Sequence, residues 1–366
     1  MKKRLRILGT RGVPAQHGGF ETFAEYLAIY LVNLGWDVTV YCQEYGFGDI
    51  YIDKWQGVQR VHIPVFQKGA KGTIIFDWKS TMHAAKSPGL ILTLGYNTAI
   101  FCIIYRIKKI KNIINMDGIE WKRDKWNFFE RAWLYLNELS GCFFGNQLVA
   151  DHPEIKLHLA TRVNERKITM IPYGSEMIKS ADVNIIRSFG LEPKCYAIVI
   201  ARPEPENSIL EIVSAFSRKK RNSNLVVLGD YSDCNSTYCK KVKDVASNEV
   251  IFLGAIYDKN KVQALRFHAS LYIHGHQVGG TNPSLVESLG AMNPVLAHDN
   301  KYNRWVAGNI NRYFSSIKDC DFYITELLDN KEQLSVMSKS SLKQHNDLFT
   351  FDSILEKYTN ILSLYL

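Results

Sequence analysis

The chain has 366 residues, of which 46% are hydrophobic and 22% charged, a balance that excludes disordered, collagen-like and fibrous proteins. At about 150 residues per domain, this length predicts two domains. The formal net charge of +9 favours anionic partners such as nucleic acid, lipid headgroups or phosphorylated small molecules, and does not choose among them.

Hydropathy and cysteine usage narrow the class further. The longest apolar run, residues 99 to 105, is far shorter than the ~20 residues that cross a bilayer, and no signal-peptide pattern precedes it. The seven cysteines are an odd, scattered set, and Cys234 and Cys239 lack a second pair of ligands at zinc-site spacing. We therefore expect a protein of the cytosol, without disulfides and without zinc.

The first half alternates β-branched apolar runs with segments of helical period, which predicts βαβ units around a parallel sheet. Residues 5–10 predict the first strand, and residues 20–34 predict a helix that ends at Gly35. Further strands are predicted over residues 37–42, 58–65, 90–95, 111–117, 146–151 and 167–174.

A second alternation predicts a second, similar half. It opens with a strand over residues 196–202 and a helix over residues 207–219, for which Asn207 or Ser208 is the expected N-cap. Strands follow over residues 224–230, 250–256, 271–276 and 294–299. The fold class is thus α/β, with two doubly wound, Rossmann-like domains over residues 1–174 and 175–348. We expect them to face a central cleft, where open α/β sheets bind ligands.

Residues 349–366 carry an apolar stripe at helical spacing. The stripe predicts a C-terminal helix that either packs on one domain or braces the two.

A glycine-rich stretch separates the first strand from the first helix. Its glycines are Gly9, Gly12, Gly18 and Gly19, and it also holds the polar residues Arg11, Gln16, His17 and Glu21. Glycines allow backbone N–H groups to approach an anion at a helix N-terminus. The spacing matches neither a dinucleotide-binding fingerprint nor a P-loop. The polar residues favour a binding loop over a flexible surface turn.

Two features of the second half point to phosphate. Arg202 ends a predicted strand opposite a helix N-terminus, where a guanidinium can clamp a diphosphate; an ion pair with Glu204 or Glu206 is the alternative. Residues 279–281, Gly-Gly-Thr, precede an expected N-cap and N1 pair at residues 282 and 283, which again aims a helix N-terminus at a ligand. One turn into that helix, Glu287 either accepts the hydroxyls of a ribose or is an exposed glutamate.

Three further features have competing interpretations. Asp117 ends a predicted strand and either acts as a general base or caps the next helix. Residues 319–321, Asp-Cys-Asp, are more simply a helix N-cap cluster than a metal motif. Residues 120–136, with the basic segment 106–111, either form an interfacial patch for anionic lipid or a buried helix with a charged outer face. No nucleic-acid-binding motif is present.

These segments resemble the retaining glycosyltransferases of family four, which have the GT-B fold. The most similar group is the bacterial polysaccharide rhamnosyltransferases, whose first half opens with GTRGxPxxxGGFE. The resemblance is carried by GTRGVPAQHGGFE (9–21), MDGIEWKR (116–123), IPYG (171–174), ARPEPEN (201–207) and HGHQVGGTNPSLVE (274–287).

The resemblance implies residue roles. On the donor side, Gly18, Gly19 and Arg202 would contact the diphosphate, Gly280 and Thr281 would cover it, and Glu287 would match the ribose-binding second glutamate of the E-x7-E motif. Gly279 stands where the first glutamate is expected, and Asn207 lies near the place of the usual lysine. His274 and His276 are candidates to make up for these losses. Asp117 and Arg202 are the expected catalytic residues, and Arg11, His17, Glu21 and Trp121 are expected on the acceptor side.

The implied reaction moves L-rhamnose from dTDP-rhamnose to a lipid-diphosphate-linked saccharide, with retention and without metal or other cofactor. The product would be a cell-surface polysaccharide such as O antigen or capsule, made by a peripheral protein at the inner face of the plasma membrane. A UDP-hexose or UDP-HexNAc donor is the alternative within the fold. A non-catalytic sugar-nucleotide-binding protein is the alternative outside enzymes.

Overall fold

The computed structural model describes residues 3–16, 18–231 and 237–366. The chain divides into two compact units, of which the first joins the stretch up to Pro172 with Asp352–Leu366 and the second is Tyr173–Phe351. Each unit has a sheet of mostly parallel strands with helices around it, so the predicted α/β class is confirmed.

The first unit is built on a sheet that has eight strands among the described residues. They are β1 (Arg4–Leu8), β2 (Asp37–Tyr45), β3 (Tyr51–Trp55), β4 (Val58–Val65), β5 (Leu90–Leu94), β6 (Asn112–Asn115), β7 (Gln147–Ala150) and β8 (Ile168–Met170). Their order is β3-β4-β2-β1-β5-β6-β7-β8, with only the β3–β4 pair antiparallel. Every residue of β6 and β7 is buried, as expected where helices cover both faces of a parallel sheet.

The helices of this unit follow the strands of the parallel sheet. They are α1 (Gly19–Asn33), α2 (Gly69–Ala84), α3 (Ile103–Ile107), α4 (Phe128–Phe144) and α5 (Pro153–Ala160). The predicted end of α1 is confirmed, because Gly35 follows its last turn with φ +81°.

The second unit repeats the plan with a fully parallel sheet. Its strands are β9 (Tyr196–Ile200), β10 (Asn224–Leu228), β11 (Val250–Gly254), β12 (Leu271–His274), β13 (Val295–His298) and β14 (Arg312–Phe314). Its helices are α6 (Val183–Arg187), α7 (Ile209–Phe216), α8 (Thr237–Asp244), α9 (Lys259–His268), α10 (Pro283–Gly290), α11 (Lys301–Ala307), α12 (Ile317–Leu328) and α13 (Lys331–Leu348). The strand order is β11-β10-β9-β12-β13-β14.

The last helix, α14 (Phe351–Ser363), belongs to the first unit from Asp352 onward. Its apolar stripe is buried, and Tyr358 packs against Phe23 of α1 with ring centroids 4.5 Å apart. Within the described ranges, no helix has both the length and the apolarity required to cross a bilayer.

Strand order fixes where each sheet binds ligands. The order reverses between β1 and β5 in the first unit and between β9 and β12 in the second. The loops after such neighbouring strands diverge to opposite faces and leave a crevice at the carboxyl ends of the strands. The glycine-rich loop after β1 lies at the first reversal, and the loops that hold Arg202 and Gly280 lie at the second.

Candidate functional site

The loops after β9 and β12 are joined by hydrogen bonds. The backbone N–H of Gln277 donates to the carbonyl of Glu206 over 2.9 Å, and the Ser208 hydroxyl donates to the carbonyl of Gly275 over 2.8 Å. A Cβ atom at Gly275 would lie 2.0 Å from the carbonyl oxygen of Asn207, so this approach requires glycine. The two predicted donor-binding segments therefore form one surface.

Asn207 holds this surface together rather than capping a helix. Its Oδ1 lies 2.7 Å from Nδ1 of His276, and its Nδ2 donates to the carbonyl of Arg202 over 3.0 Å. Ser208 is the N-cap residue of α7, one of the two predicted, but neither its side chain nor that of Asn207 bonds to the first turn. The Ser208 hydroxyl is instead engaged by Gly275.

The guanidinium of Arg202 is available to a ligand. Its side chain is 72% exposed, and its Nη1 lies 3.7 Å from a carboxylate oxygen of Glu204. The ion pair anticipated as the alternative is therefore present but longer than a hydrogen bond. Exposed pairs contribute at most about 1 kcal/mol, so a diphosphate can compete for this guanidinium.

The start of α10 has the features of an anion-binding helix N-terminus. Asn282 accepts from the N–H of Ser284 over 3.0 Å and Pro283 is the first helical residue, as predicted. The Ser284 hydroxyl lies 3.4 Å from the carbonyl of Ile200, which brings this helix start to the end of β9. The first turn contains no acidic residue, so nothing offsets the positive end of the helix dipole.

Glu287 is held by a buried arginine. Its Oε2 lies 2.6 Å from Nη2 of Arg266, which also donates to the Ser284 hydroxyl over 3.0 Å. The Glu287 side chain is one-third exposed, so this carboxylate is neither the fully exposed nor the fully buried glutamate of the sequence alternatives. The arginine fixes its direction and leaves part of it accessible.

His274 presents an unpartnered nitrogen. It is 4% exposed, and among the described residues its Nε2 has no hydrogen-bond partner. Burial, together with the nearby His276 and His298, holds the pKa of His274 well below its usual range. The ring is therefore neutral at physiological pH, and its Nε2 can donate or accept.

The structure shows why no side chain stands at position 279. A Cβ atom at Gly279 would lie 2.5 Å from the Tyr302 ring and 2.8 Å from its hydroxyl oxygen. Tyr302 is the second residue of α11 and belongs to none of the sequence motifs, so sequence reasoning missed it. A tyrosine ring occupies the space that a glutamate at 279 would need.

In the first unit, the glycine-rich loop is held in place. The Glu21 carboxylate accepts from the N–H of Arg11 over 3.2 Å, Glu25 accepts from the N–H of Ala15 over 2.6 Å, and Arg60 donates to the carbonyl of Val13 over 3.1 Å. These bonds argue against a flexible turn. His17 lies outside the described residues.

Glu21 also changes the electrostatics of the expected Gly18 and Gly19 contact. It is 8% exposed, lies in the first turn of α1, and its Oε2 is 3.0 Å from the Cβ position of Gly18. A carboxylate at a helix N-terminus already satisfies the positive end of the dipole. A diphosphate at Gly18 and Gly19 has to compete with this charge, whereas α10 offers no such competitor.

Asp117 is the most perturbed acid of the predicted set. Burial, with the charges of Glu120 and Asp151 nearby, raises the pKa of Asp117 to about 7. Its φ of +50° is unusual for a residue other than glycine, and its N–H donates to Oδ1 of Asn115 over 2.9 Å. The capping alternative is wrong, because Asn127 forms the capping box of α4. Asp151, which follows β7, is a further acidic residue near Asp117, and sequence reasoning missed it.

Trp121 is anchored to α4. Its indole N–H donates over 2.7 Å to Glu138, whose carboxylate is 1% exposed and also lies 2.9 Å from Nε2 of His158. Of the expected acceptor-side residues, Arg11 and Glu21 line a common cavity of the first unit, and Trp121 is absent from its lining.

The outer side of α3 and α4 carries many exposed apolar residues beside the exposed Arg106 and Glu130. The exposed large apolar side chains there are Ile103, Ile107, Phe128, Phe129, Leu136 and Phe143. The basic segment 106–111 includes the end of α3. The alternative of a buried helix with a charged outer face is thus wrong for α4, because Phe128, Phe129 and Phe143 are each more than 70% exposed.

The Asp319–Asp321 segment lies inside a helix instead of before it. Ser316 is the N-cap of α12 and accepts from the N–H of Asp319 over 3.1 Å. Asp321 lies 2.5 Å from a guanidinium nitrogen of Arg221. The predicted N-cap cluster is therefore wrong in position by one turn.

Comparison with solved structures identifies the fold as GT-B. Sucrose-phosphate synthase from Thermosynechococcus elongatus matches with a TM-score of 0.80 at 12% identity, over 99% of each chain. HepE from Anabaena in complex with UDP and glucose matches with a TM-score of 0.77 at 13% identity, over 99% of this chain and 100% of that one. A trehalose-phosphate synthase from Burkholderia xenovorans, in complex with glucose-6-phosphate, matches with a TM-score of 0.75 at 11% identity, over 98% and 100%.

At the level of sequence, residues 2–176 match the profile of a domain of unknown function, DUF1972. No curated protein matches the chain. The predicted GT-B fold is confirmed, and at these identities the likeness establishes the fold alone.

Proposed function

We propose that this protein is a glycosyltransferase that uses a nucleotide sugar. The observation that carries the proposal is the single hydrogen-bonded surface of the loops after β9 and β12, which includes the exposed Arg202 side chain and which the start of α10 joins at the end of β9. A guanidinium and a helix N-terminus together match a diphosphate. HepE, of the same fold, has been crystallised with UDP and with UDP-glucose.

In the proposed mechanism, the second unit stabilises the leaving diphosphate. Arg202, the amides of Gly280 and Thr281, and the dipole of α10 oppose the negative charge that grows as the glycosidic bond breaks. Glu287 accepts the hydroxyls of the ribose, and His274 donates to the sugar or to phosphate. No protein nucleophile is part of the mechanism, and we expect retention by same-face attack. A trapped glycosyl-enzyme adduct would contradict this step.

On the acceptor side, Asp117 is the proposed general base. A base works best when its pKa lies near the operating pH, and the pKa of Asp117 is raised to about 7. The ionised carboxylate removes the proton of the attacking hydroxyl. Neither this step nor the departure of the diphosphate requires a divalent metal.

The proposed donor is dTDP-L-rhamnose, and the proposed acceptor is a saccharide on a lipid diphosphate, in synthesis of a cell-surface polysaccharide. The donor rests on the resemblance of GTRGVPAQHGGFE to the rhamnosyltransferase segment. A UDP-hexose is the second candidate, favoured by the complexes of HepE. The lipid acceptor rests on the apolar exposed side of α3 and α4 next to basic residues, which suits a peripheral protein at the membrane.

The test is a donor screen followed by turnover. Binding of dTDP-rhamnose, UDP-glucose and UDP-GlcNAc is measured by calorimetry, and transfer is measured with a synthetic GlcNAc-diphosphate-lipid in the presence of EDTA. We expect Arg202→Ala to lower kcat at least about 100-fold, as loss of a charge-stabilising donor does. Arg218→Ala, which removes an equally charged and half-exposed arginine paired with Asp321, is the control.

Two results would contradict the proposal. If no nucleotide sugar binds, both the glycosyltransferase hypothesis and the sugar-nucleotide-binding hypothesis are wrong. Donor binding with no product would favour the non-catalytic sugar-nucleotide-binding protein, for which the absence of a glutamate at Gly279 is the supporting observation.

A further inference from the structure

The first unit contains an open cavity of about 460 Å³, within the ~300–1,000 Å³ of small-molecule sites. Its walls come from the loop after β1, the ends of β2 and β4, and the start of α2. All of the described lining residues belong to the first unit.

One wall of the cavity is a chain of hydrogen-bonded polar side chains. The two ring nitrogens of His62 lie 2.7 Å from Glu44 and 3.0 Å from Asp53, and Arg60 donates to Asp53 over 2.8 Å. His62 is 5% exposed, and the Tyr51 ring stacks on it with centroids 4.4 Å apart.

The imidazole of His62 thus bridges the two carboxylates. Around the cavity, the positive charges of Arg11, Arg60 and Lys68 are matched by the negative charges of Glu21, Glu44 and the Asp53 that pairs with Arg60, so the formal charges balance. Such a wall offers fixed donors and acceptors without attracting an ion. Its chemistry suits a neutral ligand rich in hydroxyl groups, each of which donates and accepts.

Beside the cavity lies a stack of exposed aromatic rings, Tyr45, Phe66 and Phe47. Neighbouring centroids are 5.9 Å and 4.5 Å apart, with ring planes within 22° and 16° of parallel. Tyr45 lines the cavity, and Phe47 is 84% exposed. Single exposed apolar residues are ordinary, whereas a contiguous patch marks a binding surface. We call this patch the aromatic platform.

We propose that the cavity and the aromatic platform bind a neutral oligosaccharide. A pyranose has apolar C–H faces, which can lie flat on the exposed Phe47 ring at the end of the stack, and a rim of hydroxyl groups, which match the donors and acceptors of the cavity wall. The identification of this oligosaccharide as the acceptor glycan rests on the proposed function. Arg11 and Glu21, both in the lining, then contact the glycan as expected of acceptor-side residues.

The test uses the full chain and a water-soluble GlcNAc-diphosphate-undecyl probe. Binding is measured by saturation-transfer NMR without nucleotide, for wild type, Tyr45→Ala/Phe47→Ala and Glu44→Gln. We expect protons of the sugar ring to receive saturation in the wild type, and each variant to weaken binding about tenfold, the scale of one lost ring contact or hydrogen bond. The platform side chains are exposed, so their removal does not threaten folding.

The matched control is Tyr257→Ala/Phe322→Ala, which removes two exposed aromatic side chains of the second unit and leaves binding unchanged. Absence of saccharide binding in the wild type, or equal binding by all variants, overturns the inference. So does saturation confined to the alkyl chain of the probe, which would identify the platform as a lipid contact.

Turnover separates this inference from the proposed function. We expect Tyr45→Ala/Phe47→Ala to raise the acceptor KM about tenfold while donor hydrolysis and donor KM stay at wild-type values. Saccharide binding without any donor binding would leave the inference standing and contradict the transferase. Normal transfer by the Tyr45→Ala/Phe47→Ala variant, with an unchanged acceptor KM, would support the transferase and contradict the inference.

Discussion

Position 279 illustrates how one residue constrains its neighbour. The Cβ atom that any other amino acid places there meets the Tyr302 ring at 2.5 Å. Overpacking of this kind costs about 1–3 kcal/mol when the neighbour cannot move away. We predict that Gly279→Ala lowers the free energy of unfolding and that Tyr302→Ala restores part of it. The coupling is measured by urea unfolding of both single variants and the double variant.

The same pair of residues tests the donor site. If Tyr302 occupies the place of the absent glutamate, Tyr302→Phe lowers kcat/KM for the donor about tenfold at unchanged stability, because only a hydroxyl is lost. Tyr313→Phe is the control, since its hydroxyl donates to the carbonyl of Gly308 elsewhere in the second unit. If the stability effects of Gly279→Ala and Tyr302→Ala are additive in the double variant, the Tyr302 ring moves aside without cost when position 279 carries a side chain.

Asp117 makes a prediction about pH. Its pKa in the folded protein, about 7, lies above the value of about 3.9 for an unfolded aspartate. Between these values the folded protein binds more protons than the unfolded chain, so stability falls as pH rises and becomes constant above about pH 7. Asp117→Asn should therefore stabilise the protein at about pH 8 and have little effect near pH 4, as measured by thermal unfolding.

Asp77 provides a matched control for this prediction. Burial raises its pKa to about 7 as well, and its carboxylate accepts from the Thr98 hydroxyl. Both Asn variants should show the same gain in stability, but only Asp117→Asn should lower kcat, by about 100-fold or more for loss of a general base. Wild-type kcat should rise to a plateau above about pH 7. Equal loss of activity in both variants would assign the effect to folding.

At the scale of elements, the last helix reaches the candidate base through two hydrogen bonds. Nδ2 of Asn115 donates to the Tyr358 hydroxyl over 2.8 Å, and Oδ1 of Asn115 accepts from the N–H of Asp117 over 2.9 Å. Asn115 is 6% exposed and Tyr358 is 1% exposed, so water cannot replace either partner without cost. Helix α14 thereby orients the left-handed turn at Asp117.

We predict that Tyr358→Phe costs about 1–3 kcal/mol of stability, the penalty for an unsatisfied buried amide. It should also lower kcat while leaving the donor KM unchanged, because Asp117 loses its fixed direction. Tyr365→Phe is the control. Tyr365 lies in the same C-terminal segment as Tyr358, and its hydroxyl donates to Gln147 of β7. A fall in stability without any change in kcat would limit Tyr358 to a structural role.

Local signals explain which elements the sequence predicts well. The limits of α1 and α10 are encoded within one turn, by Gly35 and by the Asn282-Pro283 pair, and both are confirmed. Strand β3 was missed because its alternating residues are mostly exposed and its pairing depends on β4. The side-chain bonds of Asn207 and Ser208 were missed because their partners lie in the loop after β12, about seventy residues away.

At the scale of the whole molecule, the residues of the candidate site also divide into those that local sequence signals predicted and those that they did not. Arg202 and residues 279–281 were predicted because a strand end and a helix start are visible in sequence. Tyr302, Asp151 and the hydrogen bonds of His62 to two carboxylates were not predicted, since each depends on a partner that is distant in the sequence. The repeat of alternating strands and helices was sufficient to predict two α/β domains.

Binding to an anionic membrane surface would account for the net charge of +9. Basic residues near an anionic surface contribute about 1 kcal/mol each, and exposed aromatic side chains add apolar burial. We predict that the protein sediments with phosphatidylglycerol vesicles, and that raising salt to about 0.5 M weakens binding because screening shortens the reach of the charges. Phe128→Ser/Phe129→Ser should weaken it further, since these side chains are 78% and 82% exposed.

Phe322→Ser on α12, which removes an exposed aromatic ring from the second unit, should leave vesicle binding unchanged. The effects of salt and of Phe128→Ser/Phe129→Ser on vesicle binding have to be read together. Sensitivity to salt without sensitivity at Phe128 and Phe129 would mean that the charge attracts any polyanion, and the apolar side of α4 would then have no part in it. Sensitivity to both places α4 against lipid, where a saccharide on a lipid diphosphate is also found.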